Sequence, residues 1–185
     1  MTGEPRSRHV VVMGVSGSGK TTVARGISAV TGLTFVEADE FHSSENVALM
    51  RSGVPLDDSN RRPWLADIAG WITDRAAEGR STVLACSALR RSYRDVLRQG
   101  ASQVDFVHLH GPAEVIRERM ARREGHYMPA SLLESQLATL EPAAPDESVL
   151  VLDVSLAPEA LVAAAVKGLG LPGPVPVGEH QDGAS

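Results

Sequence analysis

Residues 9–32 set the tightest limit on what this chain can fold into. A β-branched run, HVVVMGV (9–15), ends near glycine, and KTTVARGISAVTG (20–32) continues at helical spacing through Val23, Ile27 and Val30. The octapeptide between them, GVSGSGKT (14–21), satisfies G-x-x-x-x-G-K-[ST] directly after a strand and at the opening of a helix, the context this pattern demands. Gly14, Gly17 and Gly19 let backbone N–H groups turn inward around phosphate oxygens, and the helix starting near Lys20 adds the positive end of its dipole. Lys20 is placed to reach the outer phosphates. The Thr21 hydroxyl is a candidate Mg²⁺ ligand, because that ion takes oxygen ligands and bridges substrate phosphates. Val15, Ser16, Ser18 and Thr22 complete the predicted nucleotide-binding loop.

Strand and helix signals then alternate. LTFVEAD (33–39) reads as a second strand, followed by a short helix that Ser43 or Ser44 caps, with Glu45 in its first turn. RSGVPLDDSNRRP (51–63) reads as a polar connector. Pro63 then opens a helix whose buried stripe is Leu65, Ile68, Ala69, Ile72 and Ala76. STVLACSAL (81–89), VDFVHLHG (104–111) and SVLVLDV (148–154) are the remaining strands; residues 90–100, 112–125, 130–140 and 158–170 are the remaining helices. The alternation predicts an α/β P-loop NTPase, a doubly wound five-stranded parallel sheet with helices on both faces and a helical lid. With 185 residues the chain fits one domain. We expect a flexible N-terminus (1–8), a kinase domain (9–170) with its lid at about 119–136, and a disordered Pro/Gly-rich tail (171–185).

Charge narrows the partners. A net charge of -5 gives no basic field for holding a polyanion, so nucleic acid is not an expected partner. Of the 18 basic residues only Lys20 and Lys167 are lysine, so positive charge is almost all guanidinium, suited to forked contacts with phosphate or carboxylate. The single Cys86 excludes an internal disulfide, and no apolar segment approaches the roughly 20 residues of a membrane helix, which together predict a cytoplasmic protein without a membrane partner.

A phosphate loop alone does not separate kinases from GTPase switches or transport ATPases. The guanine-reading N-K-x-D is absent because neither lysine follows an asparagine, and no L-S-G-G-Q occurs. At this size a small-molecule kinase is favoured. In an open parallel sheet, ligands gather outside the carboxyl ends of the strands, where the second strand delivers Asp39. A carboxylate there orients an acceptor hydroxyl; the plainer alternative is a helix cap. His42 and Asn46, four apart, share a helix face that Met50 continues, a pattern suited to a polyhydroxylated acceptor.

These residues resemble a known family, the gluconate kinases of the shikimate-kinase-like group. The resemblance runs through MGVSGSGKTTVA, ADEFHSSENVALMRSGVPLDDSNRRPWL, CSALRRSYRDVLR, REGHYM, LLESQLATLEP and DES, over roughly residues 9–169. It implies transfer of the γ-phosphoryl of ATP to the 6-hydroxyl of D-gluconate with Mg²⁺, by a protein that in this family forms a homodimer. It implies Asp39 beside the acceptor hydroxyl, and His42, Asn46 and Arg61 as sugar-acid contacts, the guanidinium meeting a carboxylate. Ser87, Arg90 and Tyr93, after the third strand, are implied to face the same cleft; read alone, the two arginines at 90 and 91 are as well explained as solvated surface charges. Departures from the family pattern fall at Glu37, where Asp is common, and at Ser43, Leu49 and Asn60.

Arg119, Arg122 and Arg123 precede Gly125, His126 and Pro129, a break between helices that predicts a lid over the nucleotide. The plainer alternative is a charged outer helix face, with Glu118 and Arg122 paired at i, i+4. The resemblance implies Arg123 as a stabiliser of the transferred phosphate, Arg119 as a nucleotide contact, and His126 and Gln136 as residues that meet the acceptor on closure.

Overall fold

In the computed structural model, residues 7–122 and 130–173 are described. Arg123, His126 and positions 174–185 of the expected tail lie outside the described residues.

Five parallel strands form one sheet: β1 (His9–Met13), β2 (Thr34–Glu37), β3 (Thr82–Ala85), β4 (Val104–His110) and β5 (Leu150–Asp153), in the spatial order β2-β3-β1-β4-β5. Helices α1 (Lys20–Thr31), α2 (Ser44–Arg51), α3 (Asp58–Ala77), α4 (Arg91–Arg98), α5 (Ala113–Ala121), α6 (Ala130–Thr139) and α7 (Pro158–Gly168) fill the connections. β1 is buried along its whole length and divides the core by the period of two that a strand imposes. Val10 and Val12 face one layer with Val23 and Ile27 of α1, Ile116 of α5, Leu133 of α6 and Leu161 of α7. Val11 and Met13 face the other with Leu65, Ile68 and Ile72 of α3 and Leu97 of α4. Each such aliphatic side chain contributes about 1.5–3 kcal/mol by leaving water. The expected doubly wound sheet, covered on both faces, is the observed one.

Two local expectations differ. β2 stops at Glu37, and Ala38–Phe41 form a 3₁₀ turn, so Asp39 projects from that turn and not from the strand end. α3 begins at Asp58, five residues before Pro63, which lies inside the helix. The cause is a capping box: the Asp57 carboxylate accepts from Asn60 N (3.0 Å) while Asn60 Oδ1 accepts from Asp57 N (3.2 Å). That box, with burial of Trp64 and Leu65 one turn later, outweighs the single bond Pro63 cannot donate. As a result Asp58 and Arg61 stand on a fixed first turn, not on a loose connector.

A buried ion pair ties the loop after β3 to the approach to β5. Arg94, on α4, is fully buried, and its Nε and Nη2 donate to the Glu147 carboxylate at 2.6 and 2.7 Å. Its Nη1 donates to the carbonyls of Ala88 and Leu89. Ala88 has φ 42, a left-handed conformation that costs a non-glycine residue roughly 1 kcal/mol or more. Three carbonyls and a carboxylate converging on one guanidinium hold that loop in place.

Candidate active site

The chain reverses direction across the sheet beside β1, so the loops after β1, β2 and β3 open onto one crevice at the carboxyl ends of the strands. A cleft of about 600 Å³ occupies it. Ser16, Gly17, Lys20 and Thr21 form one end; Asp39, His42, Arg61 and Trp64 form the other; Ser87 and Gln136 also line it. An apolar wall comes from Val47 and Met50 of α2 and from Val54 and Leu56 of the connector.

The phosphate loop has the shape its glycines predict. Gly14 has φ 145, and a Cβ there would stand 2.7 Å from Ser18 Oγ and 2.8 Å from Leu109 O. Gly17 has φ 81, and its Cβ would fall 2.4 Å from Met120 Cγ of α5. Gly19, left-handed at φ 97, is the N-cap of α1. Ser18 is fully buried, and its hydroxyl meets no hydrogen-bond partner among the described residues. Lys20 Nζ donates to Val15 O at 3.1 Å, and Ser16 N donates to Gln136 Oε1 at 2.7 Å, which joins α6 to the loop.

Thr21 Oγ1 donates to Glu37 Oε2 at 2.8 Å. A hydroxyl whose proton points at a carboxylate presents its lone pairs elsewhere, as a metal ligand must. Burial pushes the Glu37 carboxyl up from its ordinary range, against the Thr21 hydrogen bond, and Asp39 adds to the rise. Among the described residues no three His, Cys, Asp or Glu side chains cluster as a metal cage. The donor set therefore fits Mg²⁺ held by one hydroxyl, water and phosphate oxygens.

At the acceptor end, the Asp39 side chain is 73% exposed and 3.7 Å from His42 Nε2. The His42 ring is only 4% exposed and stacks on Trp64, 4.3 Å between centroids. Trp64 is fixed in turn by donation from Nε1 to Ala38 O at 2.8 Å. Asn46 Nδ2 donates to Asn60 O (3.0 Å) and reaches His42 Nδ1 (3.3 Å). An amide nitrogen only donates, so Nδ1 accepts and Nε2 carries the proton, facing Asp39 and the cleft. Burial lowers the His42 pKa, Asp39 opposes the shift and Arg61 reinforces it, so the ring is neutral at pH 7.

A family model described as an AAA domain matches residues 10–143. A gluconokinase from Gluconobacter oxydans is 49% identical over 145 residues, covering 78% of this chain and 82% of that protein. The chain belongs to the gluconokinase family. Two solved structures are similar to it: a sugar kinase from Janibacter sp. HTCC2649 (61% identity, TM-score 0.86, 89% of this chain and 95% of that one) and a gluconokinase from Sinorhizobium meliloti 1021 (44%, TM-score 0.81, 89% and 93%).

Within this gluconokinase-family fold, the residues singled out in the sequence separate into groups. Lys20, Thr21, Asp39, His42, Arg61, Ser87 and Gln136 share the cleft, and Gln136 also accepts from Ser16 N of the phosphate loop. Val15 is 2% exposed, so only its backbone faces the loop's interior, whereas Thr22 is exposed. Asn46 is 5% exposed; its amide pins α2 to α3 and orients His42. Tyr93 is 6% exposed, with its hydroxyl engaged by Asp58 and Arg61. Arg90 borders an adjoining hollow and pairs with Asp58 at 2.9 Å. Arg119 donates to Val154 O, beyond the end of β5.

Sequence reasoning assigned no role to Glu37, Asp58 or Trp64. The D-x-x-N spacing of Asp57 and Asn60 was the available signal for the second, since it marks a helix start and so puts Asp58 and Arg61 one turn apart. Glu37 stood out only as a departure from the family pattern, and its bond to Thr21 was not legible because that partner lies on another element.

Proposed function

We propose that this protein transfers the γ-phosphoryl group of ATP to the 6-hydroxyl of D-gluconate, giving 6-phospho-D-gluconate and ADP, a step in sugar-acid catabolism. The observation that carries this reading is one continuous cleft in a gluconokinase-family chain, with a phosphate loop at one end and Asp39, His42 and Arg61 at the other. A volume of about 600 Å³ leaves room for a phosphate and a small acceptor in the same cleft.

The glycine-rich loop and Lys20 would hold the phosphates of ATP, and Thr21, oriented by Glu37, would hold Mg²⁺. Held by Thr21, Mg²⁺ would supply positive charge to offset the negative charge that develops on the transferred phosphate. Asp39 accepts a hydrogen bond from the acceptor hydroxyl and aims its lone pair at the phosphorus. A carboxylate is too weak a base to ionise an alcohol in advance, so the proton transfers late, in a loose transition state. His42 donates from Nε2 to an acceptor hydroxyl, and Arg61 meets the carboxylate in forked geometry. Arg123 and Arg119 are assigned to the nucleotide side of the lid, where an arginine facing transferred charge contributes about 10³–10⁵ in rate in dissected GTPases.

We place the reaction in the cytoplasm, consistent with a free, buried Cys86 and with no described helix long and apolar enough to cross a membrane; a homodimer is the proposed assembly. The test is a coupled ADP-release assay across D-gluconate, other sugar acids and shikimate. D-gluconate is expected to give the highest kcat/KM, and any other acid outperforming it overturns the specificity.

A further inference from the structure

Arg61 reaches the cleft on a long side chain whose rotatable bonds must be restrained for its guanidinium to meet a carboxylate in one geometry. The restraint is visible. Arg61 Nη1 donates to the Tyr93 hydroxyl at 3.1 Å, and its guanidinium lies 5.5 Å from the centre of the Tyr93 ring. The Tyr93 hydroxyl donates in turn to Asp58 Oδ1. The other Asp58 oxygen accepts from Arg90 Nη1 at 2.9 Å, and Arg90 also lies over the Tyr93 ring, 5.8 Å from its centre.

The direction of this chain is fixed by chemistry. Asp58 is held ionised, its carboxyl lowered first by the Tyr93 hydrogen bond and then by Arg90 and Arg61, so it only accepts. Tyr93 has one proton, which points to Asp58, and so its lone pairs point to Arg61. Asp58 owes its own position to the capping box at the start of α3, where the helix N-terminus also favours a carboxylate. Arg61 sits one turn further along the same helix, and Tyr93 bridges from α4. Neither Asp58 nor Tyr93 lines the cleft that Arg61 lines.

We propose that Asp58 and Tyr93 are positioning residues for the acceptor site: Asp58 orients the Tyr93 hydroxyl, and that hydroxyl holds the Arg61 guanidinium toward the carboxylate of the sugar acid. The inference rests on the reading of Arg61 as the carboxylate partner. Arg90 completes the arrangement by neutralising Asp58 on the side away from the cleft, which keeps the carboxylate from drawing Arg61 back out of the site.

The test is steady-state kinetics of the full chain with D-gluconate and Mg-ATP, together with melting curves, for Tyr93→Phe, Asp58→Ala, Asp58→Asn and Arg61→Ala. Tyr93→Phe keeps the buried ring and removes only the hydroxyl. It is expected to raise KM for gluconate about tenfold, the usual size for loss of one charged hydrogen bond, with kcat within twofold and KM for ATP unchanged. Asp58→Ala should match it, Asp58→Asn should be milder because an amide oxygen still accepts from the hydroxyl, and combining Tyr93→Phe with Asp58→Ala should add little. If Arg61→Ala raises KM for gluconate while Tyr93→Phe and Asp58→Ala leave it unchanged, the positioning role is overturned and the acceptor reading stands. If Arg61→Ala itself leaves KM for gluconate unchanged, the acceptor reading falls and this inference with it. Equal losses for both substrates with a lowered melting temperature would assign the three residues to stability alone, which also overturns the proposal.

Discussion

Thr21 donates its hydroxyl proton to Glu37 across 2.8 Å, joining the first turn of α1 to the last residue of β2. β3 lies between β1 and β2 in the sheet, so this bond spans the crevice above it and not a pair of neighbouring strands. It makes the orientation of the candidate metal ligand depend on a half-buried carboxylate.

Glu37→Gln tests that dependence. An amide oxygen accepts less strongly than a carboxylate, and altering the partner of a metal ligand typically weakens metal affinity 10- to 100-fold. The apparent Mg²⁺ requirement should rise by about that factor in activity titrations. Stability should move the other way. A carboxyl raised in the fold favours its protonated form, so its stabilising contribution is present at low pH and is lost as pH rises through the raised pKa. The neutral amide escapes that loss, and the variant should melt slightly above the parent at neutral pH.

Asp39→Asn should lower kcat by about 10² to 10⁴ while leaving KM for ATP nearly unchanged, since the phosphate loop is untouched. With its side chain 73% exposed, removal of the charge should barely alter the melting temperature. Full kcat in the variant would remove Asp39 from the reaction.

His42→Ala removes a donor that lines the cleft and a ring stacked on Trp64. KM for gluconate should rise about tenfold with a smaller change in kcat. The pKa of His42 is depressed by burial, so the neutral ring stabilises the fold above the unfolded value of about 6.5. That contribution is lost as pH falls below it and through the lowered folded pKa. The melting temperature should therefore fall more steeply below about pH 6.5 in the parent than in the alanine variant, which has no ring to protonate.

Glu147→Ala strands Arg94, which is fully buried, without its carboxylate. Breaking a buried pair this way costs roughly 3–5 kcal/mol, on the order of 10 °C in melting temperature for a chain of this length. Hydrogen bonds from Arg94 hold the Glu147 carboxyl down at about 2, against an ordinary value of 4.5. Its contribution is complete above 4.5 and is lost as pH falls from there through 2. Melting curves of Glu147→Gln should be flatter than those of the parent across that window.

The phosphate loop, the five strands and the faces of α1 and α3 were legible because each rests on neighbours in the chain: glycines at fixed offsets, or apolar residues at a period of two or 3.6. The start of α3 was missed because Pro63 was weighed as a helix opener, although the Asp57 and Asn60 pair six and three residues earlier makes the stronger boundary. Asn46 read as a cleft contact because helix spacing shows which residues share a face, and Tyr93 because the resemblance implies it; what each side chain packs against is written in neither.

By itself the sequence determined a nucleotide-binding α/β kinase fold and, through its resemblance, the gluconate kinases, since those depend on local conformation and on blocks of adjacent residues. Only the tertiary structure decided that Thr21 meets Glu37, that Asp58 orients Tyr93 toward Arg61, and that Arg94 closes on Glu147. These partners stand 16, 35 and 53 residues apart. What brings them together is the order β2-β3-β1-β4-β5, fixed by the packing of whole layers and not by any one stretch of the chain.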